Sequence, residues 1–379
     1  MQSALELSHW ESDVFLGETD LIIIGSGIVG LSAAIAFKHK NPKAKVLVLE
    51  RGWLPQGAST KNAGFACFGS PTELLADFNS MEEKVVLDTV RMRLSGLKKL
   101  RQLLGDKNMD YLACGGNEVF SDKQQFNSCA DEIHALNRKL KAVTRAKETF
   151  RVNSKNLSAF GLRGFTQLIE IPLEGQLNTG KMMRALLKYA QGLGVLIFNS
   201  TTVKSFEQLS RGVALHLENG LVLKTASLIV ATNGFARELV PELSVRPARS
   251  QVLITSPVSG LKCKGVFHYE QGYFYFRNVG DRVLLGGGRH LDFLTEETDN
   301  FGLTNIVQSS LESLLKENIL FGRKFKIEQR WSGIMGLGAE KKPIIKSVSR
   351  NVVVAVRMGG MGVAIGALVG ELAVKEIMR

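Results

Sequence analysis

The stretch Asp20-Leu21-Ile22-Ile23-Ile24-Gly25-Ser26-Gly27-Ile28-Val29-Gly30 opens on a continuous apolar run and closes on three glycines spaced G-x-G-x-x-G. Four apolar, largely β-branched residues in a row predict a parallel strand buried on both faces. Residues 31–40 then read as a helix, and Val46-Leu47-Val48-Leu49 forms a second apolar run that ends at Glu50, twenty residues beyond Gly30. Strand, glycine turn, helix, strand and acid in that register predict a βαβ unit that holds a dinucleotide. Gly25 permits the tight turn, Gly27 lets the backbone approach a pyrophosphate, and Gly30 lets helix and strand pack closely. Ser26, Ile28 and Val29 complete the loop and helix start, where unpaired amides and partial positive charge face the phosphates. Glu50 is placed to accept hydrogen bonds from a ribose hydroxyl, which suits an unphosphorylated ribose, and Arg51 follows it.

The chain has 379 residues, 45% hydrophobic and 22% charged, with 38 glycines. That balance suits a globular protein with a sizeable core and excludes a collagen-like or low-complexity chain. Cys67, Cys114, Cys129 and Cys263 are scattered without CxxC or metal-ligand spacing, so neither a disulfide scaffold nor a metal site is expected. Glu6, Glu11, Asp13, Glu18 and Asp20 leave no uninterrupted apolar core for a secretory signal, and a cytoplasmic location is expected. The longest apolar stretch, 352–378, is broken by Arg357, Glu371, Lys375 and Glu376. It reads as buried core, and no integral membrane segment is expected.

Lys and Arg total 48 against 36 Asp and Glu, a net charge of +12. Much of the excess lies on two stretches of helical period. Leu87, Val90, Leu94, Leu97 and Leu104 form one apolar stripe opposite Arg91, Arg93, Lys98, Lys99 and Arg101; Phe126, Cys129, Ile133, Leu136, Leu140 and Val143 form another, with Arg138, Lys139, Lys141, Arg145 and Lys147 beside it. Without interleaved aromatic residues these faces read as solvated helix surfaces rather than a nucleic-acid groove.

The fingerprint alone leaves NAD and FAD open. Glu50-Arg51-Gly52 leads into Gly57-Ala58-Ser59-Thr60-Lys61-Asn62-Ala63-Gly64, a small-residue loop suited to a long cofactor. From here the chain resembles the D-amino-acid oxidase-like family of FAD-dependent amine and amino-acid oxidoreductases, which includes glycine oxidase and sarcosine oxidase. Gly175-Gln176-Leu177-Asn178, the helix expected at 181–191 and Gly194-Val195 resemble the segment leading to that family's second adenine-side strand, with Val203 just beyond. Leu228-Ile229-Val230-Ala231-Thr232-Asn233-Gly234 resembles the strand and turn that return to the cofactor. Gly359-Gly360-Met361-Gly362-Val363, followed by Gly370-Glu371, resembles the flavin-side loop and last helix. The family often carries His where this chain has Met361. A helix N-terminus aimed at the pyrimidine edge of a flavin would stabilise the negative charge that accumulates on reduction. Since no cysteine lies near that loop in the sequence, noncovalent FAD is expected.

Between 247 and 328 the pattern becomes that of an antiparallel sheet. In Tyr273-Phe274-Tyr275-Phe276-Arg277, alternation predicts Tyr273, Tyr275 and Arg277 on one face and both phenylalanines on the other. After a turn, Arg282-Val283-Leu284-Leu285-Gly286-Gly287-Gly288-Arg289-His290 follows, its glycines suiting a close approach. Laid against sarcosine oxidases, Tyr275 and His290 fall at positions resembling an active-site tyrosine and histidine. Gly286 falls where those enzymes carry a lysine implicated in oxygen activation. The segment Trp331-Ser332-Gly333-Ile334-Met335-Gly336-Leu337-Gly338 lacks the arginine that grips the carboxylate in some amino-acid-specific members; Arg277 or Arg289 would have to supply one.

The resemblance implies an α/β protein, α+β overall: a Rossmann-like FAD-binding domain (1–84, 151–240 and 326–379) and a discontinuous antiparallel-sheet substrate domain (85–150 and 241–325). It implies oxidation of the C–N bond of a small amine or amino acid, with hydride passing to flavin N5 and the imine then hydrolysed. The electron acceptor would be O2 or another carrier. His290, Tyr275, Tyr273 and Arg277 are the expected catalytic-side residues, and His290 is placed to favour the unprotonated amine. The alternatives are an RNA-modifying flavoprotein domain, an NAD(P)-dependent dehydrogenase and a non-catalytic flavin-binding subunit; no nucleic-acid partner is favoured.

Overall fold

The computed structural model describes residues 6–379. The apolar run at the start forms the strand Thr19–Ile24, with parallel neighbours Val46–Leu49 and Val222–Val230. Among the described residues it belongs to an eight-stranded sheet whose main path runs Ile344–Ser349, Val352–Val356, Val222–Val230, Thr19–Ile24, Val46–Leu49 and Leu196–Phe198. The strands Val203–Gln208 and Val213–Leu217 extend it as an antiparallel meander onto the first half of Val222–Val230. Ile22, Leu228 and Val352 share a row across the centre, each fully buried, as apolar strands covered on both faces must be.

Two helices close on one side of this sheet. The helix Ile28–Lys40 packs against the terminal helix Gly362–Ile377, and glycine sets the spacing: a Cβ at Gly366 would lie 2.8 Å from Ile28 Cγ2, and one at Gly370 would lie 2.6 Å from the Val29 carbonyl oxygen. The stretch 352–378 is therefore buried core, as its interrupting charges implied, and no helix among the described residues is long and apolar enough to cross a membrane. The long helix Glu83–Leu104 lies against the terminal helix, with Gly96 at the point of closest approach, 2.9 Å from its would-be Cβ to Ile365 Cα.

The second eight-stranded sheet runs Ile327–Leu337, Arg246–Thr255, Arg282–Gly287, Phe274–Val279, Val266–Tyr269, Gly116–Phe120, Gln167–Ile171 and Arg151–Val152. It is antiparallel except where Val266–Tyr269 meets Gly116–Phe120. One face, through Phe267, Phe274, Phe276, Val283 and Leu285, packs on the helix Asn305–Leu314. Its opposite face looks towards the nucleotide-side loops. Strands Arg151–Val152, Gln167–Ile171 and Ile327–Leu337 pair here, so boundaries at 151 and 326 do not follow the sheets. We propose instead a division in which 151–171 and 327–337 go with the substrate-side sheet.

Two sequence expectations need correction. Arg93 is 2% exposed, not part of a solvated basic face: its Nη1 donates to the Phe68 carbonyl oxygen at 2.7 Å and lies 3.5 Å from Glu73. It lies on the same helix face as Val90 and Leu97, and a paired guanidinium on a long apolar stem fills that face as a large apolar residue would. The expected loop 57–64 contains the single-turn helix Ala58–Lys61, begun by Gly57. The second basic helix, Lys123–Thr144, buries Phe126, Cys129, Ile133, Leu136 and Leu140 as expected.

Candidate active site

The nucleotide side is built at the carboxyl ends of the parallel strands. Gly25 sits at φ 104°, where a Cβ would come within 2.8 Å of the Ala231 carbonyl oxygen. Gly27 begins the helix at Ile28, and its open flank meets only Ser59, whose hydroxyl accepts from the Ile28 amide at 2.9 Å. Gly30 packs its bare Cα on the Gly25 carbonyl. The turn thus falls to Gly25 and the close packing to Gly30. Ser26 is buried and donates to Glu50 Oε2 through its amide at 3.1 Å and its hydroxyl at 2.7 Å, while Glu50 Oε1 accepts from the Gly52 amide at 3.0 Å. The carboxylate is so fixed at the strand end, with lone pairs left for a ribose. Arg51 lies over the Phe235 ring, 3.8 Å to its centroid, and pairs with Glu238.

Other predicted contacts prove to be braces for the cradle. Thr60 Oγ1 donates to the Pro55 carbonyl at 2.6 Å. Asn62 donates to the Ala58 and Ser59 carbonyls, and its Oδ1 accepts from the Gly64 amide and the Thr179 hydroxyl. Asn233, at φ 48°, accepts from the amides of Arg357 (3.1 Å) and Met358 (3.2 Å), tying the end of the strand Val222–Val230 to the C-terminal loop. Gly234 leaves room for the Met335 carbonyl, 2.6 Å from its would-be Cβ, and Val203 is buried at the start of its strand. Gly359 (φ 59°) and Gly360 (φ 80°) turn the chain into Met361, and Gly362 and Val363 begin the terminal helix. The amides of Gly362 and Val363 have no hydrogen-bond partner among the described residues, whereas those of Ala364 and Ile365 bond the Met361 carbonyl.

The residues present fit a bound dinucleotide. Gly57 has nothing within 4 Å of its would-be Cβ, and Thr232 Oγ1, beside the Gly25 turn, is sealed from water without a hydrogen-bond partner. A buried hydroxyl without a partner costs stability unless something absent from the chain satisfies it.

The substrate side divides into two groups. Tyr275, Arg277 and their neighbours lie on the inner face of the second sheet. Paired residues there form one row across six strands: Trp331, Val252, Gly286, Tyr275, His268 and Glu118, the last two on strands Val266–Tyr269 and Gly116–Phe120. Opposed residues share a face, and this one meets residues 61–68. Trp331 donates from its indole nitrogen to the Lys61 carbonyl at 2.9 Å, and the Phe65 ring stands edge-on to both Tyr275 and His268. The Tyr275 hydroxyl lies 2.9 Å from Ser250 Oγ, and burial pushes its phenol up, so it stays protonated.

Arg277 is on that face, but its guanidinium is spent: it donates to the carbonyls of Ala63 and Leu177 and to Gln176 Oε1. Burial lowers it to about 10. It fixes the backbone at 63–64 and has no fork free for a carboxylate.

Tyr273 precedes the strand and is 36% exposed, its ring 4.5 Å from that of His290. His290 Nε2 lies 3.2 Å from Glu270, and Phe274 flanks the ring. The expected quartet is thus two pairs, Tyr275 with Arg277 and Tyr273 with His290 at the hairpin end; the structure does not gather all four around one point. Alternation fails at Tyr273 because the strand begins at Phe274.

Sequence reasoning missed the polar cluster beside Tyr275. His268 is 5% exposed, and its Nε2 lies 2.7 Å from Glu174 Oε2. Burial alone would lower this imidazole, but Glu174 and then Glu118 and Glu73 hold it above the usual value. Glu118 accepts from Ser70 and Thr72; burial pushes its carboxyl up despite those bonds. A single histidine in the apolar run Val266-Phe267-His268-Tyr269 was the signal, legible only once the register put it next to Tyr275.

Cys67 also changes meaning. It is distant from the C-terminal loop in sequence, yet its Sγ lies 3.6 Å from Met361 Sδ, so a cysteine does adjoin that loop. Burial first, then Glu174 and Glu73, push its thiol well up, which leaves it protonated and a poor nucleophile.

Comparison with known proteins agrees with this geometry. A family model described as DAO, FAD dependent oxidoreductase, matches residues 20–376. The bifunctional protein ThiO/ThiG of Synechocystis sp. is 28% identical over 235 residues, 62% of this chain and 33% of the relative. Glycine oxidase of Geobacillus kaustophilus is 24% identical over 285 residues, 70% of this chain and 69% of the relative. The chain spans between a third and a half of the length of the ThiO/ThiG relatives. The solved structure of glycine oxidase from Geobacillus kaustophilus superposes with a TM-score of 0.76 at 20% identity, covering 96% of this chain and 95% of that one.

Proposed function

The chain belongs to the DAO family of FAD-dependent oxidoreductases, and from that membership we propose that it oxidises the C–N bond of a small amine or amino acid. The observation that carries the reading is the row of Tyr275 and His268 facing Phe65, in the segment whose Cys67 meets Met361 of the C-terminal glycine loop. The glycine oxidase relative, whose substrate is by its name an amino acid, supports the same class. FAD, when bound, supplies the acceptor for the hydride and its electron pair.

The chain's own contribution is to bind, orient and exclude water. Gly25, Ser26, Gly27, Ile28, Val29, Gly30 and Glu50 would hold the adenosine and pyrophosphate end, with Arg51, Val203, Thr232, Asn233 and Gly234 around it. Ala58, Ser59, Thr60, Asn62, Ala63 and Gly64 would line the middle, and Gly359, Gly360, Met361, Gly362 and Val363 the flavin end. Phe65, Tyr275 and Trp331 give apolar and aromatic walls, a setting that disfavours a protonated amine and so favours the form able to release hydride. The protonated Tyr275 hydroxyl can donate to the substrate or keep Ser250 as its partner. Tyr273 and His290 would form the outer rim. Cys67 is a protonated, buried thiol, which supports a noncovalent cofactor.

The +12 charge gives little support to an RNA-binding role, since basic side chains on the two long helices find local acids: Lys139 with Glu83 at 2.9 Å, Arg101 with Asp106 at 2.8 Å, and Lys99 with Glu371. The test of the proposal is product analysis with amines, amino acids and 2-hydroxy acids under turnover. A carbonyl compound and a released amine in equal amounts are expected from the nitrogen substrates. A carbonyl product from hydroxy acids alone would overturn the C–N assignment.

A further inference from the structure

The proposed reaction leaves open how a substrate anion would be recognised when Arg277 is occupied and the Trp331 segment carries no arginine. His268 is the group placed to do it. It stands next to Tyr275 in the row, its Nε2 is held by Glu174, and its Nδ1 has no hydrogen-bond partner among the described residues. The side-chain polar atoms there that are both sealed and unpartnered are Ser32 Oγ, Thr232 Oγ1 and His290 Nδ1. His268 Nδ1 is not one of them, so this unpartnered nitrogen of an almost fully buried ring borders open space.

Phe65 stands beside both His268 and Tyr275, and its segment reaches the C-terminal loop. Glu174 Oε1 accepts from the Phe68 amide at 3.4 Å, and the preceding residue, Cys67, touches Met361. The Glu174–His268 pair is therefore joined through two residues to the loop expected at the flavin, with the Phe65 ring beside it.

We infer that His268 binds the carboxylate of the substrate, its Nδ1–H donating to the anion while Glu174 holds the opposite ring nitrogen. The substrate class is then an amino or imino acid rather than a simple amine. A buried imidazolium between two carboxylates replaces the guanidinium fork, and charge-assisted hydrogen bonds of this kind are about twice as strong as neutral ones.

The groups facing His268 set its charge. Glu174 comes from the turn before Gly175–Gln176, Glu118 from the neighbouring strand, Glu73 from the helix Pro71–Ser80, and the protonated phenol of Tyr275 from the other side. Arg93 and Lys341 lie behind Glu73 and neutralise it. The three carboxyls favour the imidazolium, so the anion site is present below the elevated histidine value and is lost as pH rises through it.

This inference rests on the proposed reaction only in calling the bound acid a substrate; binding itself is read without turnover. The experiment titrates the FAD-loaded protein with propionate and with the neutral propionamide between about pH 6 and pH 9, following the visible flavin spectrum. Propionate affinity is expected to fall about tenfold per pH unit above the His268 value, as loss of one proton requires, while propionamide binding stays flat. His268→Gln is expected to weaken propionate by at least about tenfold and remove its pH dependence. Glu174→Gln is expected to move the break to lower pH. Propionate that leaves the spectrum unchanged, binding that ignores pH, or an unaltered affinity in His268→Gln would each overturn the assignment. If His268→Gln fails to retain FAD, the wild-type pH profile and the Glu174→Gln shift decide it. A protein that binds propionate in this way but is reduced by no amine keeps the anion site and loses the proposed reaction; the converse result loses the anion site alone.

Discussion

Gly286 shows how one missing side chain shapes the inner face. A Cβ there would lie 2.6–2.8 Å from two ring carbons and the hydroxyl oxygen of Tyr275, so that side chain occupies the volume that a side chain at 286 would claim. Gly286→Ala is expected to push Tyr275 off Ser250 and strand a buried hydroxyl, at about 1–3 kcal/mol. Thermal unfolding checks this, and an unchanged midpoint would mean that the ring moves freely. At Gly27 the neighbour is Ser59 Oγ, 2.8 Å from the would-be Cβ. Gly27→Val is expected to fill the phosphate approach and abolish flavin retention. The ratio of visible to ultraviolet absorbance of the purified variant checks it; a folded, yellow protein would refute the placement of the site.

At the scale of elements, the helix Pro71–Ser80 is held over the second sheet by a buried charged network. Ser70 caps it by accepting from the Glu73 amide, and Lys341 reaches Glu73 at 3.0 Å and Asp77 at 2.7 Å. Burial would raise the Glu73 carboxyl, but Lys341 and Arg93 hold it below the usual carboxylate range. A lowered folded value means that its stabilisation is present above the unfolded value, near about 4.3, and is lost as pH falls through the folded one. Lys341→Met is therefore expected to destabilise most above about pH 5, the gap to wild type closing in acid; urea unfolding across pH measures it. Arg93→Met leaves the Phe68 carbonyl without its donor in a buried site while Glu73 keeps Lys341, a loss of about 1–3 kcal/mol. The nucleotide unit was legible in the sequence because strand, turn, helix and acid are local and each glycine has its own steric reason. The cluster of Glu174, His268 and Glu118 was not: residues 94 and 150 positions apart meet there through strand register and a turn, and helical period alone could not tell that Arg93 points inward.

For the whole molecule, the segment 61–68 lies against the inner face of the second sheet and reaches the C-terminal loop through Cys67 and Met361. The sheets also explain why domain boundaries were hard to read. Segments 151–171 and 327–337 supply strands to the second sheet, and their mixed exposure gives no compositional break. The whole assembly places one protonated thiol, Cys67, beside the C-terminal loop. Acid precipitation of the purified protein is accordingly expected to leave FAD in the supernatant, whereas yellow colour in the pellet would mean a covalent link. The central claim, that this chain uses FAD to oxidise a small amine or amino acid, is tested most directly by the visible spectrum recorded without oxygen before and after adding amino acids and amines. Bleaching by a nitrogen substrate is predicted; a flavin spectrum that no amine or amino acid bleaches would contradict the account.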